Sequence, residues 1–306
     1  MPEDQGVNGD MWTEEATRLL GKLGWNKVGD SNVDVKNEDE KENGLDAMFV
    51  YKDPKRNTNI LEGIVLEAKR YKTTSLNISS LHTFIITLDK KLAKIKNSGL
   101  FQATFPKIGG AAIQIGLIVL WISDLENYSA FEKTFKEKFS SIKLPFKSNT
   151  ATPNHIYVLL NSDILRMCSL IDMVEKLNAA NKKSPMKFYY PSSDYFNNAV
   201  ARSETLTIDY IFSKFVLAES IIRRTENKFI FYFGELSIQA FERLKSFLLE
   251  NSFIEKKSPL TIFTYLRDDE FRKIKPDVIT LFKKLSINTK IEEMTLYSDL
   301  PPFLKD

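Results

Sequence analysis

Cysteine is nearly absent from the chain: Cys168 is the only one in 306 residues. No intramolecular disulfide framework can form, and a zinc module built on several thiolates is excluded. Histidine is almost as scarce, with His82 and His155 alone. A His-based metal centre or Cys-His nucleophilic catalysis therefore has little material. No charge of one sign dominates, because 43 Lys+Arg face 40 Asp+Glu for a net +3. That balance is too even for bulk attraction to a polyanion, so any basic surface is local. Long apolar runs are missing as well. The longest, Ala111–Ile122, is interrupted by Gln114 and falls short of the roughly 20 residues a spanning helix needs. The opening MPEDQGVNGD is acidic and polar where a signal peptide is basic and then apolar. No P-loop lysine motif and no dinucleotide-binding glycine fingerprint occurs, which removes positive support for nucleotide chemistry of those kinds. The expectation is a cytoplasmic protein without a membrane segment.

What is present is ample core material: 43% of residues are apolar and 12% aromatic, enough for one or two globular domains. Trp12, Ala16, Leu19, Leu20 and Leu23 form a helical stripe over Met11–Leu23 that Gly24 should stop. Trp25–Asp30 reads as a short strand and the polar stretch Ser31–Asn43 as an exposed loop. Leu45–Tyr51 and Ile60–Tyr71 read as paired strands, and Leu76–Lys96 as an amphipathic helix on Leu81, Ile85, Leu88, Leu92 and Ile95. Gly116–Ser123 is a nearly continuous apolar run, the mark of a strand buried on both faces, and Ser129–Phe139 is again amphipathic. This order predicts an α/β layered unit. Pro145, Pro153 and a Ser/Asn/Thr cluster within Leu144–Asn154 suggest a boundary dividing residues 1–147 from 148–306. The second part also alternates. It reads as a strand HIYVLLN, a helix over Ser162–Asn178, a linker with Pro185 and Pro191, a helix around Thr207–Arg223, a strand KFIFYFG, a helix LSIQAFERLKSFLLEN, a strand PLTIFTYLR, a helix near Pro276–Leu285 and a strand KIEEMTLY. The fold class predicted is α/β in both parts.

Three features carry chemistry: Glu14-Glu15 on the first helix, Gly44-Leu45-Asp46 opening a strand, and Glu67-Ala68-Lys69 near the end of another. Alternation along a strand sends Glu67 and Lys69 to one face while Leu66 and Ala68 point to the other. With Asp46 on the neighbouring strand, two carboxylates converge beside a lysine, a ready site for a hard divalent cation such as Mg²⁺. A metal there neutralises a phosphate and acidifies a bound water, and the lysine orients or deprotonates that water for in-line attack on phosphorus. At about 100° per residue, the apolar stripe puts Glu14 opposite the buried side and Glu15 on its flank, so Glu15 is the better candidate to reach the site. Lys90, Lys91, Lys94 and Lys96, with Lys69, Arg70 and Lys72, are candidates to flank a groove and contact phosphates, above all Arg70, Lys72, Lys90 and Lys94. The bland alternatives are a cross-strand ion pair at Glu67 and Lys69, a turn cap at Asp46, a first-turn charge at Glu15 and wet-face lysines on the helix.

The helix WTEEATRLLGKLGW, the strands GLDAMFVY and IVLEAKRYK and the later strand GLIVLWIS together resemble the PD-(D/E)XK nuclease superfamily, and within it the Mrr-like restriction endonuclease branch, over about residues 11–146. The resemblance implies a restriction-endonuclease-like mixed sheet flanked by helices. It implies that Asp46 and Glu67 bind Mg²⁺, with Mn²⁺ as an alternative, that Lys69 serves the attacking water, and that Glu15 takes the place of the helix-one glutamate. Leu45 stands where the motif's name has proline. An Mg²⁺-dependent endonuclease acting on DNA, gated by a partner or signal in prokaryotic restriction or antiphage defence, is the function so implied. The alternatives are an RNase with the same site, or a non-catalytic interaction subunit that keeps the nuclease fold. Residues 148–306 then form a recognition or assembly domain, with a protein partner or a second copy of the chain as its counterpart.

Overall fold

The computed structural model describes residues 7–36, 42–56, 60–95, 98–108, 110–140, 154–191, 200–254, 258–283, 285 and 288–305. The boundary read at 147/148 lies outside them. Two units emerge: Met1–Lys52 with Thr58–Ile164 and Asp299–Asp306, and Asp53–Asn57 with Leu165–Ser298.

In the first unit, helix α1 (Val7–Lys22) buries Trp12, Ala16, Leu19 and Leu20, each at most 1% exposed. It ends where Gly24 takes a positive φ of 86° and Trp25 N–H reaches back to the Leu20 carbonyl, the left-handed glycine stop that the sequence signals. The chain continues through β1 (Asn26–Lys27), β2 (Val33–Lys36), β3 (Glu42–Leu45), β4 (Ala47–Lys52), β5 (Leu61–Tyr71), α2 (Ile78–Ile95), α3 (Gly99–Thr104), β6 (Ala112–Ile122), α4 (Tyr128–Phe139) and β7 (His155–Leu159). The main sheet has the order β1-β4-β5-β6-β7, antiparallel across β4 and β5 and parallel across β5, β6 and β7. It is therefore mixed, with β5 and β6 in its interior. Ile64, Val65 and Leu66 on β5 and Leu117 to Leu120 on β6 are wholly buried, as the unbroken apolar runs require. On one face, Val65, Ile118 and Leu120 pack under Leu81, Ile85, Leu88 and Leu92 of α2. Toward the other, Trp12 of α1 donates from Nε1 to the Val119 carbonyl at 3.2 Å.

Two sequence expectations change here. Ser31–Asn43 is not simply loop: β2 and β3 pair antiparallel as a separate ribbon, Val33 opposite Leu45 and Val35 opposite Asn43. The two valines at i and i+2 carry the period-2 signal, which the surrounding charges mask; residues 37–41 lie outside the described ones. The strand HIYVLLN, read as opening the second part, joins the first sheet as β7 beside β6. Its neighbour Asn161, fully buried, exchanges two side-chain hydrogen bonds of 2.8 Å with the backbone of Ile122 and so fixes the end of β6.

Helix α5 (Asn161–Ala180) leads into β8 (Lys187–Tyr190), β9 (Ala201–Ser203), α6 (Ile208–Ile211), β10 (Phe215–Ile222), β11 (Thr225–Tyr232), α7 (Ile238–Glu250), β12 (Leu260–Thr264), α8 (Asp269–Phe282) and β13 (Thr289–Glu293); α9 (Pro302–Lys305) returns to the first unit. The second unit's sheet has the order β13-β12-β11-β10-β8-β9. β11, β12 and β13 are parallel, joined by α7 and α8, and the rest is antiparallel. The helix expected around Thr207–Arg223 is only the short α6, and Phe215–Ile222 is strand β10. Arg223 and Arg224 form its hairpin turn at φ values of 50° and 69°. That is the left-handed conformation for which Asn-Gly is the usual signal, so the arginines hid the turn. The linker between Pro185 and Pro191 contains β8, and α8 begins seven residues before Pro276, capped by Asp268 accepting from Glu270 N–H at 2.9 Å. The structure is thus α/β throughout: a mixed sheet flanked by helices, followed by a second α/β unit. Among the described residues, no helix is long and apolar enough to cross a membrane.

Candidate active site

β5 carries the chemistry near its carboxyl end. Its odd-numbered residues face α2, so Glu67 and Lys69 share that side, while Ala68 and Arg70 face α1. Asp46 occupies the bend between β3 and β4. The pairing of Ala47 with Leu66 sets it beside Glu67, and its backbone carbonyl accepts from Asn32 N–H at 2.9 Å. Asp46 Oδ2 accepts from the Ala68 N–H at 2.7 Å. Lys69 Nζ lies 3.9 Å from that same oxygen and 3.6 Å from Glu67 Oε2. Asp46, Glu67 and Lys69 thus come together, and their side chains are 20%, 13% and 19% exposed.

A fourth residue joins them from α2. Lys91 Nζ donates to Glu67 Oε1 and to the Gly44 carbonyl. Close approach of the helix makes this reach feasible: a Cβ added to Gly116 of β6 would stand 2.7 Å from Leu88 Cδ2 and 3.1 Å from Leu92 Cδ1. Glycine is what the sheet needs there. In the sequence, Lys91 appears only as one of several helix lysines. Its signal is rotational: on the helical wheel it falls on the flank of the Leu81–Ile95 stripe, whereas Lys90 falls opposite. Lys72, Lys90 and Lys94 are exposed and Arg70 is half-buried.

Glu14 and Glu15 separate as the periodicity indicates. Glu14 is exposed and lies 3.5 Å from Arg18, while Glu15 is buried, with Oε2 lacking a hydrogen-bond partner. Burial raises the Glu15 carboxyl above its ordinary range, against the pull of Arg70, Lys305 and Arg18. Glu15 therefore sits among charges on the α1 side of the sheet, with Arg70 of β5 exerting the largest pull.

The electrostatics of the cluster bear on a metal. Burial first, and the neighbouring Glu67 second, push the Asp46 carboxyl up to about 6, against the opposing effects of Lys69, the Ala68 N–H and Lys91. Burial and the charge of Glu67 both disfavour the ionised form of Asp46, and a divalent cation bound there would offset that cost. Among the described residues, no group of three or more His, Cys, Asp or Glu side chains is arranged to hold a metal. The protein's donor set is the pair Asp46 and Glu67, hard oxygens that fit Mg²⁺, which takes one or two carboxylates and completes its shell with water and phosphate oxygens.

A mixed sheet with an acidic residue on the bend before one strand, an E-x-K triplet on the next and helices on both faces defines a nuclease domain of the PD-(D/E)XK superfamily. Residues 1–163 match the family model described as GAPS4 protein PD-(D/E)XK nuclease domain, and the chain belongs to that family. This match supports the superfamily that the motifs resemble; it does not address the Mrr-like branch. None of the curated proteins compared with the chain matches it.

Proposed function

We propose that the chain is an Mg²⁺-dependent endonuclease that hydrolyses phosphodiester bonds of DNA. The observation that carries the reading is the convergence of Asp46 and Glu67 with Lys69 between them, at 3.9 and 3.6 Å. Asp46 and Glu67 would hold the metal, which when bound neutralises phosphate charge and makes its water more acidic. Mn²⁺ meets the same donor preference. Lys69, placed between the carboxylates, orients the attacking water and helps take its proton. Lys72, Lys90 and Lys94 are exposed cations suited to positioning the backbone, and Arg70 adds charge from the other face of β5. Glu15, buried and short of a hydrogen bond, organises that side of the strand with Arg70. An intact nuclease site endangers the cell that makes it, so its activity is gated by a partner or by a signal such as invading DNA, in a setting of prokaryotic defence and in the cytoplasm. The second unit, through recognition or assembly, is the natural place for that control.

The test is cleavage of supercoiled plasmid, linear duplex DNA and a structured RNA by the purified chain, with Mg²⁺ and with EDTA, beside a Glu67→Ala/Lys69→Ala variant. Mg²⁺-dependent cutting of DNA that the variant lacks is the expected result. Cutting confined to RNA would replace the substrate, since only 2′-OH contacts and pocket shape separate the two backbones. Equal cutting by the variant would remove the site.

A further inference from the structure

Lys91 is the member of the cluster that the proposed chemistry leaves without a role. Its side chain is only 12% exposed, although lysines on an amphipathic helix ordinarily trail into solvent. Its ammonium is shared between Glu67 Oε1 and the Gly44 carbonyl, two residues ahead of Asp46. Lys91 therefore ties together the β3–β4 bend and strand β5, the segments that carry the two carboxylates. Glu67 is divided: Oε1 is taken by Lys91, and Oε2 faces Lys69 at 3.6 Å. With two carboxylates and two ammonium groups, the cluster without metal is electrically balanced.

A divalent cation entering this arrangement meets a carboxylate already neutralised and an ammonium charge beside it. In a partly dried site, one full positive charge weakens the binding of a second cation appreciably. We propose that Lys91 is a positioning residue that competes with the divalent cation for Glu67, so that the site in the free protein binds metal weakly. This rests on the reading of Asp46 and Glu67 as the metal ligands. Lys91 holds Glu67 in place through Oε1 while lowering its attraction for the metal, and so acts on the chemistry only through that carboxylate.

The experiment is calorimetric titration of Mg²⁺ alone, without nucleic acid, into the full chain. Four proteins are compared: wild type, Lys91→Met, Lys91→Arg and Asp46→Asn, each checked for folding by circular dichroism, with Lys91→Gln as the substitute if the Met variant does not fold. Lys91→Met is expected to bind Mg²⁺ at least tenfold more tightly than wild type, which is about 1.4 kcal/mol. Lys91→Arg, which keeps the charge, is expected to stay within a few-fold of wild type, and Asp46→Asn to abolish binding. A purely structural lysine would not tighten the metal on removal. Equal or weaker binding by Lys91→Met, with Asp46→Asn still abolishing binding, overturns the competition and leaves the metal site standing. Binding by Asp46→Asn equal to wild type overturns the metal reading itself, and this proposal with it.

Discussion

Neutralising Asp46 should make the metal-free protein more stable. In the folded unit this carboxyl is pushed up to about 6 from an ordinary 3.8. The folded chain consequently binds a proton more tightly than the unfolded chain, and unfolding free energy falls as pH rises through the window between those two values. Above that window the ionised carboxylate is a net liability of about 3 kcal/mol at most, at 1.36 kcal/mol for each pH unit. Asp46→Asn removes the charge and keeps an oxygen able to accept from the Ala68 N–H, which lies 2.7 Å from Oδ2. In EDTA at pH 7.5 the variant should melt higher than wild type by on the order of 5–10 °C for a unit of this size. Near pH 4 the gap should shrink to a small residue, and Mg²⁺ should raise wild type alone. All three tryptophans, Trp12, Trp25 and Trp121, lie in the first unit, so tryptophan fluorescence reports its unfolding without interference from the second. A variant that melts below wild type at pH 7.5, or a gap equally large at pH 4, would refute the electrostatic account of the site.

Other consequences follow from packing and charge elsewhere. Gly116→Ala forces a methyl to within 2.7 Å of Leu88 Cδ2, so it should cost about 1–3 kcal/mol by overpacking; urea unfolding followed by tryptophan fluorescence should show Gly116→Ala/Leu88→Ala losing less than the two single changes sum to. Arg223→Asn/Arg224→Gly relieves two positive-φ arginines and should stabilise the second unit by about 1–2 kcal/mol, read as a higher melting temperature by circular dichroism. Lys228, 4% exposed, holds Glu219 at 2.7 Å, so Lys228→Met leaves that buried carboxylate with Arg202 as its remaining cation and should cost about 1–3 kcal/mol. Burial opposes ionisation of Glu219, but hydrogen bonds from Arg202 and Lys228 outweigh it and hold its carboxyl below the ordinary range. Its stabilisation is therefore present at neutral pH and lost as pH falls below that range. Unfolding free energy measured across this acid range should decline less in Glu219→Gln than in wild type.

The parts of the fold legible in the sequence are those where pattern and packing agree. The stripe from Trp12 to Leu23, the run at Gly116–Ser123 and the stripe on α2 each satisfy one periodicity over a long stretch, and each element forms where that periodicity places it. The segments that escaped are those where a local signal points elsewhere. Val33 and Val35 sit among charges that advertise a loop, so the β2–β3 ribbon was hidden. Phe215–Ile222 has apolar content compatible with a helix, and a turn built from Arg223-Arg224 in place of Asn-Gly gives no warning of the hairpin. At the site, strand alternation suffices to bring Glu67 and Lys69 to one face, and a chain order of Gly-x-Asp before E-x-K suggests Asp46 beside them. The helical wheel puts Lys91 on the flank of the α2 stripe, but its reach to Glu67 depends on how closely α2 approaches the sheet, and so on the missing side chain of Gly116, a residue on a different element.

The measurement closest to the central claim is the initial rate of duplex DNA cleavage at saturating Mg²⁺ for wild type and Glu67→Gln, a change that keeps the side chain's shape and removes one ligand charge. The account predicts loss of at least a hundredfold, the scale of removing a group that holds charge at the reacting centre. Cleavage by the folded Gln variant at the wild-type rate would contradict it.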